Sequence, residues 1–299
     1  MTSTGTAYAR VALAGNPSDG YGGGVLAVCV RNFAAAVELT PAEDGLRVEP
    51  PVAGALVRAA AARHAAATGR AAGGLRATVR TTIPREVGLA GSSAIVIATL
   101  RALDALLGTR IAREELPRLA LAAESDLGIT AGLQDRVAQA YGGLTAMTFG
   151  ASGAFTARDL EPRMLPPLFV AWDPRGAEPS GAYHAELRAR WARGEPRVHA
   201  AMAHLRDAAA RAATAVQRGD AAGVGAAMDE SFDLRASLGP LDPRHAALVA
   251  AARDLGLCAN YAGSGGAIVG ICADGERLAA LSERLSDTGG CAVRARVTG

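Results

Sequence analysis

Lysine is absent from this sequence of 299 residues, so all 31 side chains counted as lysine or arginine are arginine. A Walker-type phosphate loop needs a lysine at the phosphates, and a pyridoxal enzyme needs a lysine for its Schiff base. The sequence therefore excludes both classes. Any cation that takes part in binding or catalysis has to be arginine or histidine.

Aromatic residues and cysteines are also scarce, and the net charge is small. Aromatics make up 4% of a chain that is 50% hydrophobic, so we expect an aliphatic core. The four cysteines form no C-x-x-C pair, which excludes a zinc knuckle and a thioredoxin motif, and we expect them to be small buried hydrophobes. A net charge of +2, with both signs interspersed, indicates neither a nucleic-acid partner nor an anionic membrane partner.

Long apolar runs are missing as well. No run approaches the roughly 20 residues that span a bilayer, and the first residues lack the apolar stretch of a signal peptide. We expect a cytoplasmic protein with no membrane partner, either a monomer or a homodimer. The five histidines show no metal-ligand spacing, and no G-x-S-x-G motif marks a serine hydrolase.

Hydrophobic periodicity predicts strands and helices that are segregated along the chain, which is typical of an α+β protein rather than a doubly wound parallel sheet. Long Ala/Arg helices are predicted over 181–238. A proline cluster at Pro162–Pro167 predicts a boundary, with one domain over 1–161 and a second over 162–299. Strands are predicted at 8–14, 25–39, 75–83, 144–149, 155–160, 168–172 and 291–297, and residues 259–272 are strand-like around a glycine-rich turn. Further helices are predicted at 50–68, 94–107, 113–127, 133–141, 244–255 and 276–286.

The most informative turn is Pro84–Ser93. Its glycines, Gly88 and Gly91, allow a close backbone approach, and Ser92 and Ser93 bring hydroxyls to a helix start that is predicted at Ala94. Free N–H groups at a helix start attract anions, so the stretch is typical of a phosphate cradle without lysine. An ordinary strand-to-helix turn with serine caps would carry the same residues.

Two further glycine-rich turns stand at Gly15–Gly24 and Gly263–Gly266. Three glycines within four residues indicate a backbone that passes very near another group, although a tight hairpin explains them equally well. The first turn adds polar side chains, Asp19 among them, that are able to bind hydroxyl groups.

Two carboxylates have the chemistry that phosphoryl transfer requires. That reaction needs a metal on the phosphate oxygens, a cation for the developing charge and a carboxylate that receives the proton of the acceptor. Glu124 is a candidate for holding the metal and Asp135 for receiving the proton. The alternatives are a solvated helix face for Glu124 and a charge at a helix N-terminus for Asp135.

Together these segments resemble the GHMP kinases and, within that family, the glucuronokinase subgroup. The resemblance implies an α+β protein of two domains, the first like ribosomal protein S5 domain 2 and the second ferredoxin-like, that transfers a phosphoryl group from ATP with Mg²⁺. It runs over residues 8–297 and is carried by Tyr8–Asp19, Pro84–Ala94 (Pro-x-x-x-Gly-Leu-x-Gly-Ser-Ser-Ala), Ala131–Gln139, Phe232–Arg235 and Gly263–Ala267.

The resemblance also implies roles for individual residues. Asp135 and Arg10 are the implied catalytic residues, and Ser93 and Glu124 are the implied Mg²⁺ ligands. Contacts with the ATP phosphates are implied for Pro84, Gly88, Leu89, Ala90, Gly91, Ser92, Ser93 and Ala94. Contacts with the substrate are implied for Asn16, Ser18, Asp19, Tyr21, Arg136, Gly263, Ser264 and Gly265.

The most specific implied reaction is phosphorylation of the anomeric hydroxyl of D-glucuronate. A sugar carboxylate calls for an arginine, which either Arg85 or Arg136 could supply. The alternatives are a GHMP kinase for another sugar or a small alcohol, and a catalytically silent sensor of sugar and ATP. The implied catalytic and metal-binding positions are all intact, which disfavours the sensor.

Overall fold

The computed structural model describes residues 2–71, 73–150, 153–176, 181–287 and 289–297, with the side chains of 176 and 181–184 left aside. Its strands are β1 (Ser3–Ala14), β2 (Gly24–Pro41), β3 (Leu46–Glu49), β4 (Leu75–Thr81), β5 (Leu144–Phe149), β6 (Phe155–Leu160), β7 (Leu168–Trp172), β8 (Ala259–Tyr261), β9 (Ala267–Ile271) and β10 (Cys291–Arg294). Its helices are α1 (Gly54–Thr68), α2 (Gly91–Leu107), α3 (Leu116–Ser125), α4 (Gln134–Tyr141), α5 (Gly181–Ala192), α6 (Pro196–Gln217), α7 (Ala221–Ser237), α8 (Pro243–Arg253) and α9 (Gly275–Ser286).

Spatial contacts divide the chain into two compact units. Unit 1 comprises Met1–Ala9, Arg31–Ile83 and Ala90–Gly142. Unit 2 comprises Arg10–Val30, Pro84–Leu89 and Gly143–Gly299. These units follow contacts rather than chain order, so the domain boundary after residue 161 stays a prediction.

Unit 1 packs helices against short strands. Residues 35–41 of β2 pair antiparallel with β4, and β3 pairs parallel with β4. Leu75, Ala77 and Val79 are buried while the residues between them are more exposed, which is the alternation of a strand with one face on the core. Helix α2 packs on α1, α3 and α4. Periodicity does not predict β3, because four residues are too few to show a repeat.

Unit 2 contains an antiparallel sheet with the order β10-β7-β9-β8. The chain passes through helices between β7 and β8 and between β9 and β10, giving the β-α-β-β-α-β arrangement of ferredoxin-like domains. Phe169 and Ile268 of the sheet share a core with Phe232, Leu248 and Leu281 of the helices. Residues 24–28 of β2 pair with β5, and β5 and β6 form the predicted hairpin. The predicted α+β class is confirmed.

Two expectations about local structure are wrong. Helix α2 begins at Gly91 rather than Ala94, so Ser92 and Ser93 lie in its first turn and do not cap it; Ala90 precedes the helix in a left-handed conformation. Cys291 is exposed because it lies on β10 at the edge of its sheet, whereas Cys29 and Cys272 are buried as expected. In the part of the chain that the structure describes, the helices are too short or too polar to cross a membrane.

Candidate active site

The predicted phosphate cradle has an unusual backbone. Glu86, Gly88 and Ala90 all have positive φ angles, of 57°, 77° and 62°. For a residue with a Cβ, this conformation costs on the order of 1–3 kcal/mol and persists only where neighbouring groups enforce it. The structure supplies such groups in each unit.

In unit 1, the two serines of the cradle point to different partners. The Ser92 hydroxyl donates to Glu124 Oε1 at 2.7 Å, and the Ser93 hydroxyl donates to Gln139 Oε1 at 2.7 Å. Neighbouring residues in a helix are about 100° apart around its axis, so consecutive serines cannot share one partner. Ser92 rather than Ser93 therefore lies beside Glu124, and the metal-ligand role of Ser93 stays a prediction.

Glu124 forms a buried ion pair at the end of α3. Its side chain is fully buried, and Arg136 of α4 is 2% exposed. Arg136 donates to Glu124 Oε2 from Nε at 2.7 Å and from Nη2, and its Nη1 donates to the carbonyl of Gly132 at 2.8 Å. These bonds rule out the solvated-face alternative for Glu124. They also commit Arg136 to protein groups, so the predicted contact with substrate stays a prediction that this geometry does not favour.

Asp135 differs from Glu124 in its access to solvent. It lies in the first turn of α4, and its side chain is 22% exposed. The nearest oxygen of Asp135 is 3.6 Å from Arg136 Nη1. A partly exposed carboxylate beside a fixed cation is accessible to a ligand that arrives from solvent.

Gln139 joins this group and was missed as a site residue by sequence reasoning. It is 1% exposed, and its Nε2 donates to the carbonyls of Tyr8 and Ala90, each at 2.9 Å. The bond to Ala90 holds the carbonyl of the residue in the left-handed conformation. The available signal was its position four residues after Asp135, because residues i and i+4 share a helix face.

In unit 2, three side chains donate hydrogen bonds to backbone carbonyls of the turn over 262–265. Arg10 donates to Ala262, and Asn16 donates to Gly263 at 2.8 Å. Arg235 of α7 donates to Gly263 at 2.9 Å and to Ser264 at 2.5 Å. All three are nearly buried, at 3%, 5% and 3% exposure. Arg235 stands in a motif that carries the resemblance, yet its position in the sequence gave no indication of this contact.

Two glycine turns of unit 2 touch backbone to backbone. A Cβ on Gly88 would lie 2.8 Å from the carbonyl oxygen of Gly265, and one on Gly263 would lie 2.2 Å from the carbonyl oxygen of Gly88. Gly265 has a φ of 140°, and a Cβ there would meet the ring of His245 at 2.5 Å. Glycine is required at these positions because no side chain fits the approach.

The turn after β1 is partly structural. Ser18 is fully buried, and its hydroxyl donates to the Gly24 carbonyl at 3.0 Å and accepts from the Gly24 amide at 3.1 Å. Tyr21 packs against Trp191 with ring centroids 5.0 Å apart, while Asp19 is partly exposed. Substrate contacts at these positions stay predictions, and Ser18 is the one whose hydroxyl is already engaged by the backbone.

The metal chemistry of the described residues is limited to small sets of ligands. They contain no group of three or more His, Cys, Asp or Glu side chains that could hold a metal. Ser92 and Glu124 nevertheless present two oxygens 2.7 Å apart. Mg²⁺ is commonly held by one or two protein oxygens plus substrate phosphates and water, so this pair fits it.

Comparison with known proteins identifies the family. The chain matches the profile of the GHMP kinases N terminal domain over residues 55–143 and that of the GHMP kinases C terminal domain over 212–291. It is 32% identical to glucuronokinase 1 of Arabidopsis thaliana over 92% of this chain and 86% of that protein. It is also 30% identical to 4-diphosphocytidyl-2-C-methyl-D-erythritol kinase of Moorella thermoacetica over 94% of each chain.

Solved structures agree on the fold. The crystal structure of Lactococcus lactis galactokinase complexed with galactose matches with a TM-score of 0.82 at 17% identity, over 99% of this chain and 93% of that one. The ordered motifs, the two profiles and the extended identity together show that this chain is a phosphotransferase with an alcohol group as acceptor and belongs to the GHMP kinase family, which uses ATP as co-substrate.

Proposed function

We propose that this protein phosphorylates the anomeric hydroxyl of a sugar acid, most specifically D-glucuronate, using ATP and Mg²⁺. One structural observation carries the chemistry: a partly exposed carboxylate, Asp135, lies beside the buried pair of Glu124 and Arg136, to which Ser92 is bonded. The named activity of the Arabidopsis relative supports the choice of acceptor.

The nucleotide phosphates are proposed to bind at the N-terminus of α2. The first-turn N–H groups of a helix have no partner inside it, and the helix dipole favours anions there. In α2 this turn holds Gly91, Ser92 and Ser93, and it is entered through the left-handed Ala90. Glycine-rich sequence on either side of this entry lets phosphate oxygens approach the backbone.

Ser92 and Glu124 would hold Mg²⁺. An ion held there would supply positive charge that offsets the negative charge developing on the phosphates during transfer. Arg136 contributes by fixing the Glu124 carboxylate through Oε2 while Oε1 faces the Ser92 hydroxyl.

Asp135 is proposed to orient the acceptor hydroxyl and to receive its proton. Arg10 is proposed as the cation that offsets charge on the transferring group, since arginine stays protonated and cannot act as a base. The bond from Arg10 to the Ala262 carbonyl fixes where its guanidinium lies within unit 2.

Arg85 is the better candidate for the acceptor carboxylate. The sequence predicts either Arg85 or Arg136 as the partner of a sugar carboxylate. In the structure Arg136 is buried and bonded to Glu124, whereas Arg85 is exposed. Among the described residues no hydrogen bond or ion pair is made by the Arg85 side chain. An arginine without a protein partner can form a bidentate pair with a carboxylate.

The direct test measures ADP release from Mg-ATP across free sugars and sugar acids, with phosphorus NMR of the product. We expect a 1-phosphate from glucuronate and little product from glucose or galactose. Arg85→Ala should reduce kcat/KM for glucuronate but not for glucose. Turnover of only neutral sugars would refute the sugar-acid assignment, and an unchanged preference in the variant would refute the role of Arg85.

A second candidate function is phosphorylation of a non-sugar alcohol. The 30% identity to the Moorella erythritol-derivative kinase over 94% of each chain favours including that class in the panel. Product from such an alcohol, and none from sugar acids, would select this alternative.

A further inference from the structure

Gln139 connects three parts of unit 1. Its side-chain oxygen accepts from the Ser93 hydroxyl, and its amide nitrogen donates to the carbonyls of Ala90 and Tyr8. The Gln139 side chain therefore uses both its acceptor and its two donor hydrogens. Because the Gln139 side chain is 1% exposed, water does not compete for these hydrogen bonds.

Two of these contacts determine how the proposed phosphate site begins. The Ala90 carbonyl accepts from Gln139 and also from the Ala94 amide at 3.2 Å, which starts the hydrogen bonding of α2. The Ser93 hydroxyl donates to Gln139, whereas the Ser92 hydroxyl donates to Glu124. Gln139 thus separates the two serines and holds the left-handed entry to the helix.

Asp135 and Gln139 lie four residues apart on α4, so they share a face of that helix. A side chain that ties α4 to the start of α2 also fixes the helix from which Asp135 extends. We propose that Gln139 is a positioning residue for phosphoryl transfer: it sets the first-turn amides of α2 for the nucleotide phosphates and holds the helix of the proposed base. This inference rests on the proposed binding of ATP at α2.

The chain offers a matched control in Arg101. Arg101 extends from α2 and donates to the carbonyls of Gln139 and Ala140 at 2.9 and 3.0 Å, and to Thr6 at 2.7 Å. Like Gln139, it therefore links α2 with α4 and also donates to a carbonyl of β1. It touches neither Ala90 nor Ser93 in those bonds. A purely mechanical connection between the helices would give both residues the same effect.

The experiment titrates Mg-ATP into the purified protein without acceptor and records the unfolding temperature in parallel. We expect Gln139→Met and Ser93→Ala each to raise Kd for Mg-ATP about tenfold, because each removes the buried hydrogen bond between these two side chains. The double variant should bind no more weakly than the weaker single variant, because both changes break the same Ser93–Gln139 hydrogen bond. Arg101→Met should lower the unfolding temperature and keep Kd within about twofold.

The outcomes separate the two proposals. If the wild-type protein does not bind Mg-ATP, the proposed function fails. If it binds and Gln139→Met binds equally well at a lower unfolding temperature, Gln139 is only structural and this inference fails. Additive losses in the double variant would also overturn it. If Gln139→Met does not fold, Ser93→Ala and Gln139→Glu, which keeps the acceptor for Ser93, decide the question: unchanged Kd in both refutes the inference.

Discussion

The buried acid of unit 1, Glu124, is held by other side chains, whereas two buried arginines of unit 2, Arg10 and Arg235, are held by backbone carbonyls. In unit 1, Glu124 is buried against Arg136 and Ser92. In unit 2, Arg10 and Arg235 donate to the carbonyls of a glycine turn. Arginine provides the cation in both, because its planar fork of donors suits carboxylate and carbonyl oxygens alike.

This difference determines what each region tolerates. Removing one member of a buried ion pair leaves the other charge unpaired, which is costly. Removing one donor from a carbonyl that has two, such as that of Gly263, leaves a second donor in place. We therefore expect unit 1 to be the more sensitive region, and the following changes test that expectation.

Asp135→Asn should have the largest effect. The amide keeps the shape of the side chain but cannot take the acceptor proton, so kcat should fall about a hundred- to ten-thousand-fold. Steady-state kinetics with the best acceptor measures this, and titration with Mg-ATP should show nearly unchanged binding. A kcat near that of the wild type would remove Asp135 from the proposed role.

Arg136→Met should give the largest loss of stability. Glu124 would stay fully buried without its cation, at a cost of about 3–5 kcal/mol in the free energy of unfolding. Denaturant unfolding measures the change. The double variant Glu124→Leu/Arg136→Met is the control and should recover much of the loss, since no buried charge remains. A single variant as stable as wild type would contradict the ion-pair geometry.

Arg235→Met should reduce the free energy of unfolding less than Arg136→Met does. It removes two charge-assisted hydrogen bonds, but Asn16 still donates to Gly263, so we expect a loss of about 2–3 kcal/mol. Denaturant unfolding of both variants compares this loss of stability with that of Arg136→Met. A larger loss than in Arg136→Met would reverse the comparison between the units.

Ser92→Cys tests which serine faces the metal. A thiol is a poor ligand for Mg²⁺ and a good one for softer ions, so activity with Mg²⁺ should fall about tenfold. Part of it should return with a softer ion such as Cd²⁺. Ser93→Cys is the matched control and should show no such rescue. Rescue of Ser93→Cys alone would restore Ser93 as the ligand that the family resemblance implies.

Arg63→Met should have the smallest effect. Arg63 and Asp126 form an exposed pair in unit 1, and hydrogen bonding from Arg63 lowers the pKa of Asp126. A lowered carboxyl pKa contributes stability above the unfolded value of about 4, and this contribution is lost as pH falls through the folded pKa. The variant should therefore differ slightly from wild type at neutral pH, with the difference fading in acid. A loss as large as that of Arg136→Met would contradict the role assigned to burial.

Local sequence patterns predicted much of the fold but fewer of the contacts within the candidate site. The hairpin of β5 and β6 and the strands around Gly263–Gly266 were predicted because alternation and glycine are local signals. The partners of Ser92, Ser93 and Gln139 were not, because they depend on how α2, α3 and α4 pack. Spacing alone treats neighbouring serines as equivalent.

The sequence by itself determined the chemical class. The absence of lysine left arginine as the cation, and the glycine-rich turns with Glu124 and Asp135 are compatible with phosphoryl transfer. The GHMP kinase family itself was predicted from the resemblance of five separate segments of the sequence. Only the tertiary structure decided which arginine is bound to protein groups, which serine meets Glu124, and why Gly88 and Gly263 have no side chain. The physical reason is that residue type limits what a group can do chemically, whereas burial and partners are set by segments distant in the sequence.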